Sequence, residues 1–253
     1  MDGDFVVVTA AERPDLSEAM LSLGDSPWPE YLNHDTVTNA LWPLLHELAA
    51  DYQFALLSAD SDDLVAIGNC IPIRWEGDPG TLPDRGIDAV LEDGVDLLRT
   101  GATPTAASAL MVVVQKQWLG KGISARALRA MAEVVGRHEL GDLVAPVRPT
   151  DKQNYPLIEM ADYITWRRPD GLAFDPWIRV HERIGGTIAR AAPAAMRVTG
   201  TVEQWEDWTG MALPVTGTYV VPGGLVPIRI DRERDTGEYL EPACWVHHRV
   251  PRA

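Results

Sequence analysis

The chain is predicted to adopt an α/β fold, and three observations carry that prediction. Residues 109–114 (Ala-Leu-Met-Val-Val-Val) form an apolar, β-branched run of the length of a buried strand. After two glycines one residue apart, Gly120 and Gly122, a helical pattern begins: Ile123, Ala127, Leu128, Met131, Val134 and Val135 recur at the spacing of one helix face. Residues 54–57 and 64–73 read as two further strands, joined by the polar turn Asp60-Ser-Asp-Asp63 in a hairpin signal.

Strand, glycine turn and helix together make the layout that holds a phosphate. Glycine lets the backbone come close to an anion, and the unpaired N–H groups at a helix start point at it. Lys116, Lys121, Arg126 and Arg129 add positive charge nearby. The spacing is not that of a P-loop, which needs Gly-Lys-Ser/Thr, nor of a dinucleotide fingerprint, because Ala125 stands where the third glycine belongs. The alternative is a glycine-containing strand-to-helix turn with no ligand.

Gln117-x-x-Gly120-x-Gly122 after an apolar strand resembles the acetyl-coenzyme A signature of the GNAT (GCN5-related N-acetyltransferase) superfamily. The resemblance implies a mixed, mostly antiparallel central sheet flanked by helices. It implies acetyl-coenzyme A or another acyl-coenzyme A as co-substrate, with loop amides on the pyrophosphate and the preceding strand along the pantetheine arm. The cofactor-binding residues it points to are Val112, Val113, Val114, Gln117, Trp118, Leu119, Gly120, Lys121, Gly122, Ile123 and Ser124. A second stretch, His181-Glu-Arg-Ile-Gly-Gly186, is similar to the family's Tyr-Glu-Lys-x-Gly-Phe segment. In the family that tyrosine often protonates the departing thiolate. His181 stands in its place, and an imidazole donates a proton near neutral pH. The alternative for His181 is a structural hydrogen bond on a helix face.

Taken in order, residues 4–9 read as the first strand, on the strength of Phe5-Val-Val-Val8. A short helix follows around residues 16–23, and residues 24–30 break it. Residues 36–52 show helical spacing at Val37, Leu41, Leu44, Leu45 and Leu48, with Asp35 as N-cap. Trp28, Tyr31, His34 and Trp42 are candidates for an acceptor wall or for ordinary packing. Pro72 asks for a bulge, a strand end or an edge position. Residues 84–100 are helical, with Ile87, Val90, Leu91, Val95 and Leu98 on one side and Asp88, Glu92, Asp93 and Asp96 on an acidic side. That acidic side is either solvated or the source of an acceptor cover or carboxylate base. Residues 141–149 make a short strand that Pro146 and Pro149 end, where the resemblance places a V-shaped opening. Asp175 and Pro176 start a helix that stops at Gly185 or Gly186. Strands are expected at residues 195–202, 217–221, 225–230 and 243–249. The whole reads as one GNAT-like domain over residues 1–253, with a helical insertion near 77–106, a second near 150–174 and a β-rich extension over 187–253.

Composition narrows the function classes. Hydrophobic residues make up 46% and charged residues 23%, as in a water-soluble globular protein. A net charge of −15 disfavours a nucleic-acid partner and suits a cationic amine acceptor. No run of 18 apolar residues predicts a membrane span, and the acidic Met1-Asp-Gly-Asp start lacks the form of a signal peptide. Cys70 and Cys244 supply neither a disulfide framework nor metal-ligand spacing, and the adjacent His247 and His248 make a poor metal pair, so no metal is expected. A cytoplasmic setting is the default, and a homodimer is left open.

The leading expectation is a coenzyme A-dependent N-acetyltransferase acting on an amine. The alternative is a GNAT-like acyl-coenzyme A-binding protein that acetylates nothing and acts as sensor, partner or enzyme of other acyl chemistry. A third reading, an interaction protein without coenzyme, has the nine tryptophans as its material.

Overall fold

A computed structural model describes residues 4–24 and 28–251. The acidic start at Met1 to Gly3 and the Asp25-Ser-Pro27 part of the first loop lie outside the described residues. In chain order the elements are β1 (Phe5–Thr9), α1 (Ser17–Gly24), α2 (Thr36–Leu41), α3 (Leu45–Leu48), β2 (Gln53–Ser58), β3 (Leu64–Ile73), α4 (Gly86–Thr100), β4 (Ala106–Val114), α5 (Ile123–Arg137), β5 (Asp142–Val147), α6 (Met160–Tyr163), α7 (Pro176–Arg183), β6 (Thr187–Gly200), α8 (Val202–Thr209), β7 (Gly217–Tyr219), β8 (Ile228–Asp231) and β9 (Thr236–Arg249). The strands join in one nine-stranded sheet ordered β1-β2-β3-β4-β5-β9-β8-β7, with β6 paired to β9 off this path. Every pairing is antiparallel except β4 with β5. This is the mixed, mostly antiparallel sheet expected.

Helices cover the sheet through separate apolar clusters. α5 contributes Ala130, Met131, Val134 and Val135 to a cluster with Phe54, Leu143 and Val246. Its Met131 lies against Gly68, where a β-carbon would meet Phe54 at 2.3 Å. α4 contributes Val90, Leu91 and Val95 to a second cluster with Ile71, Ala192 and Trp245. There Gly94 permits close approach, because a β-carbon would fall 2.6 Å from Ile71. Met20 of α1 packs on Leu57, Ile67 and Val113 in a third cluster.

Several boundaries differ from the sequence expectation. The helix expected over 36–52 is broken into α2, a turn over Trp42–Leu44, and α3. Pro43 has no N–H to continue the helix ladder. β4 starts three residues early, at Ala106, and β9 starts at Thr236 instead of residue 243. β6 starts at Thr187 instead of 195. Pro72 sits where β2 has already ended its pairing, at Gln53 opposite Asn69, so this end of β3 is locally an edge. Asp88 departs from the solvated acidic face of α4: it is 2% exposed.

Candidate functional site

β4 and β5 part almost as soon as they meet. Their pairing consists of Ala107 opposite Leu143 and Ser108 opposite Val144. Beyond Ser108, β4 keeps β3 as its partner up to Val114. Beyond Val144, β5 keeps β9, out to Val147 opposite Cys244. The two strands therefore form a V with its apex at Ser108. Pro146 on the β5 arm has no N–H with which to close it. Gln115 donates its N–H to Val65 O at 2.9 Å, which sets the alternation along β4. Val114 and Val112 thus turn their backbone N–H and C=O toward the gap. Val113 turns its backbone to β3, and its side chain is buried with Ile67. Of the three valines expected to bind the co-substrate, Val113 lines the wall without offering it a hydrogen bond.

The open end of the V leads into the glycine loop. Lys116–Trp118 form one tight turn, Leu119 is extended, and Gly120 and Gly122 both have φ of 75°. Such φ values favour glycine. No atom stands within 4 Å of a β-carbon built at either position, so the glycines serve backbone conformation and not packing. Gly122 is the N-cap of α5, and no side chain caps that helix start. The N–H groups of Ile123, Ser124 and Ala125 have no acceptor within the helix and sit at the positive end of its dipole. The Ile123 side chain is buried beneath them and Ser124 is half-buried.

Charge collects here against the sign of the whole molecule. From Gln115 to Ala132 the chain has four cations and no carboxylate. Lys116, Gln117, Leu119 and Lys121 are exposed. The Lys121 ammonium lies 4.7 Å from the Trp118 ring centre, and the Arg126 guanidinium 4.9 Å from that of Phe5. Phe5 and Trp118 meet edge-on at 5.7 Å, so the two cations rest on adjoining rings. The structure thus brings together the predicted residues from Val112 to Ser124.

His181 lies elsewhere in character. It is 2% exposed on α7, with Nδ1 2.9 Å from Nε2 of His248 on β9. Burial, and then the neighbouring His248, lower its pKa to about 3; burial, and then His247, lower that of His248 to about 4. Both rings are neutral at pH 7. The geometry makes His181 a buried link between α7 and β9. Because the unfolded rings titrate near 6.5, the stability this pair contributes is complete above that pH and is lost as pH falls toward 4 and 3. Urea midpoints are expected to drop steeply between pH 6.5 and pH 4, and a His248→Gln variant to show a shallower drop.

Other sequence candidates resolve into packing. Tyr31 is buried against Trp205 and Tyr239, and His34 stacks on Trp208 at 4.1 Å, while Trp42 packs with the α4 cluster. They do not form one acceptor wall. His247 bonds Asp142 at 2.7 Å while His248 faces His181, so the adjacent histidines point to different partners. Cys70 and Cys244 are buried and unpaired with each other, and burial raises both thiols, that of Cys244 to about 12. Among the described residues no helix is long and apolar enough to cross a membrane.

The sequence reading missed a buried ionic cluster. Glu241 of β9, 2% exposed, accepts from Arg148 Nε and from the Tyr239 hydroxyl. Arg148 also donates to Gly223 O at 2.6 Å, and Lys152, fully buried, donates to Tyr155 O at 2.8 Å and Leu225 O at 2.6 Å. These bonds tie the loops after β5 and before β8 to the sheet. Arg148→Met leaves Glu241 buried without its cation and is expected to cost about 3–5 kcal/mol, read as a fall in urea midpoint. The one signal for this was a glutamate inside the apolar run ending in Trp245 and Val246.

No protein-family model matches the chain. An arginine N-acetyltransferase, avaD, from Aspergillus versicolor is 31% identical over 275 residues, which cover 97% of this chain and 94% of the relative. Among solved structures, the loading GNATL domain of CurA from Lyngbya majuscula aligns with a TM-score of 0.61 at 16% identity, over 97% of this chain and 98% of that one. The GphF GNAT-like decarboxylase in complex with isobutyryl-CoA aligns with a TM-score of 0.59 at 14% identity, over 97% of this chain and 100% of that one. At such identities these two structures speak for the fold alone. With the relative's match along nearly the whole length of both chains, the parted strands and the glycine loop, the chain belongs to the GNAT superfamily and is an acyl-coenzyme A-dependent N-acetyltransferase.

Proposed function

We propose that the enzyme moves an acetyl group from acetyl-coenzyme A to an amine of arginine or of a closely similar cationic molecule. The observation that carries the placement of the donor is the parting of β4 from β5 directly before a loop that opens onto the uncapped start of α5. In this reading the N–H groups from Gly120 to Ser124 hold the pyrophosphate, with Gln117, Trp118, Leu119 and Lys121 around it. The pantetheine arm runs along the free edge of β4 toward the apex. From Val114 back to Ala109 that edge is about 17 Å long at the usual rise per residue. The thioester then lies nearer Leu110 and Val112 than Val114, and a strand N–H there polarises its carbonyl.

The neutral amine attacks the carbonyl carbon, a C–N bond forms, and the carbonyl becomes an oxyanion. Collapse of that intermediate breaks the C–S bond and releases coenzyme A thiolate. The proton lost by nitrogen passes to water. His181 holds α7 against β9 and takes no proton step. His181→Gln is therefore expected to lower kcat less than about tenfold, where loss of a general acid costs about 10²–10⁴.

Support for a cationic acceptor comes from the relative's substrate and from the net charge of −15, which draws cations to the surface. The test is incubation of the enzyme with acetyl-coenzyme A and arginine, with citrulline as the neutral control. Mass spectrometry should find acetylated arginine in preference to acetylated citrulline. Equal rates would remove the charge preference, and no product from either would remove the substrate assignment.

A further inference from the structure

Gln53 and Asn69 are buried side by side on β2 and β3, at 0% and 3% exposure, in an otherwise apolar part of the sheet. Their hydrogen bonds settle which way each amide points. Gln53 Nε2 donates to Ala49 O and to Cys70 O, both at 2.9 Å, so both of its donors are used and Oε1 is an acceptor. Asn69 Nδ2 donates to that oxygen at 2.8 Å. Asn69 Oδ1 is then necessarily an acceptor as well, and it is buried with no partner. An orphaned carbonyl oxygen in such a place is destabilising, and a donor from a ligand would relieve it.

Its position says which ligand. Asn69 lies opposite Met111 of β4, and the β3–β4 register shifts between Asn69 and Cys70, leaving Leu110 without a partner. The last β4–β5 pair is at Ser108. The orphan oxygen, the bulge and the apex of the V therefore fall within three residues of one another along β4. Neighbouring Gly68 faces Met131 of α5, so the Asn69 side chain points from the opposite face. Met111, half-buried and unbranched, is the side chain beside it on β4, about 5 Å away as cross-strand neighbours are.

We propose that Asn69 Oδ1 accepts a hydrogen bond from the incoming amine and aims the nitrogen lone pair at the thioester carbon, once Met111 swings aside. This rests on the acetyl-transfer reading above. An amide oxygen is too weak a base to take the proton, so Asn69 orients the nucleophile and does not deprotonate it.

The test compares Asn69→Leu, Asn69→Ser and Gln53→Leu with wild type, using acetyl-coenzyme A and arginine. Serine is small and keeps a hydroxyl at the buried position while its oxygen falls short of the Oδ1 position, which guards against a leucine variant that fails to fold. Both Asn69 variants are expected to bind acetyl-coenzyme A as wild type does by calorimetry, and to lose about tenfold to a hundredfold in kcat. Gln53→Leu, which keeps the oxygen but removes the acceptor that fixes the Asn69 amide, is expected to lose stability and to lose less kcat than Asn69→Leu. An Asn69→Ser enzyme that binds acetyl-coenzyme A and keeps kcat within about threefold would overturn the proposal, as would equal losses in all three variants. A wild-type enzyme that binds acetyl-coenzyme A but acetylates neither arginine nor a panel of aliphatic amines would sink the acetyl-transfer reading itself, and this proposal with it.

Discussion

Replacing Gly120 and Gly122 together by valine is expected to abolish acetyl-coenzyme A binding while the sheet stays folded. Both glycines have φ of 75°, where a β-branched residue is strained by about 1–3 kcal/mol each. The loop can relieve that strain only by changing its path, because its residues are exposed and tied down by few contacts. The amides from Gly120 to Ser124 would then no longer converge. Nothing packs on either glycine within 4 Å, so no clash reaches the core and the unfolding transition should fall only modestly. Calorimetric titration should show affinity at least about a hundredfold weaker, a change of ~2.7 kcal/mol or more. Unchanged affinity would mean that the phosphates are held somewhere other than this loop.

Asp88→Asn is expected to stabilise the protein at high pH and to do little at low pH. Asp88 lies at the start of α4 with Oδ1 buried and unpartnered. Asp35, fully buried nearby, is already occupied: Oδ1 accepts from Thr38 N at 2.7 Å, and Oδ2 from Arg197 N at 3.1 Å. The nearby arginines are committed to other acids, Arg85 to Glu92 and Arg197 to Glu238. Burial, and then the charge of Asp35, raise the Asp88 carboxyl to about 8. In the unfolded chain it titrates near 3.8. Between those values the folded state holds a proton that the unfolded state has released, so folding stability falls as pH rises from about 4 through 8. After allowance for solvent screening the loss amounts to roughly 2–5 kcal/mol. An asparagine has no proton to lose. Urea midpoints for the two proteins should coincide near pH 5 and diverge by pH 9, with the variant higher. Parallel curves would mean that Asp88 is not held protonated by the fold.

The two variants separate what is local from what is long-range. The loop was legible because its conformation follows from a short stretch of chain: an apolar strand, two glycines and a helix with one apolar face. The placement of Asp35 as a helix cap and of Asp175 and Pro176 at the start of α7 was legible for the same reason, since a cap satisfies N–H groups two or three residues away. The break at Pro43 was legible in principle, because proline removes an N–H wherever it stands, but the periodic leucines on both sides outweighed it in the reading. Asp88 was misplaced because its spacing with Glu92 and Asp96 suits an exposed face. Only the crossing of α4 over β6, at Gly86 against Ala195, decides that its side is covered.

By itself the sequence determined most of the strands and the strand, glycine turn and helix unit over residues 109–135, since these rest on propensity, periodicity and backbone freedom within some fifteen residues, and the resemblance of Gln117-x-x-Gly120-x-Gly122 pointed to the superfamily. The tertiary structure alone decided where β4 and β5 separate, that Val113 faces away from the gap, and that His181 is neutral and joined to His248. It also decided that Glu241 has Arg148 and that Asn69 Oδ1 has nothing. Each of these depends on groups brought together across the sheet from distant parts of the chain. Burial then sets their charge and their hydrogen bonds, because a polar group removed from water must be satisfied by whatever neighbour the fold supplies.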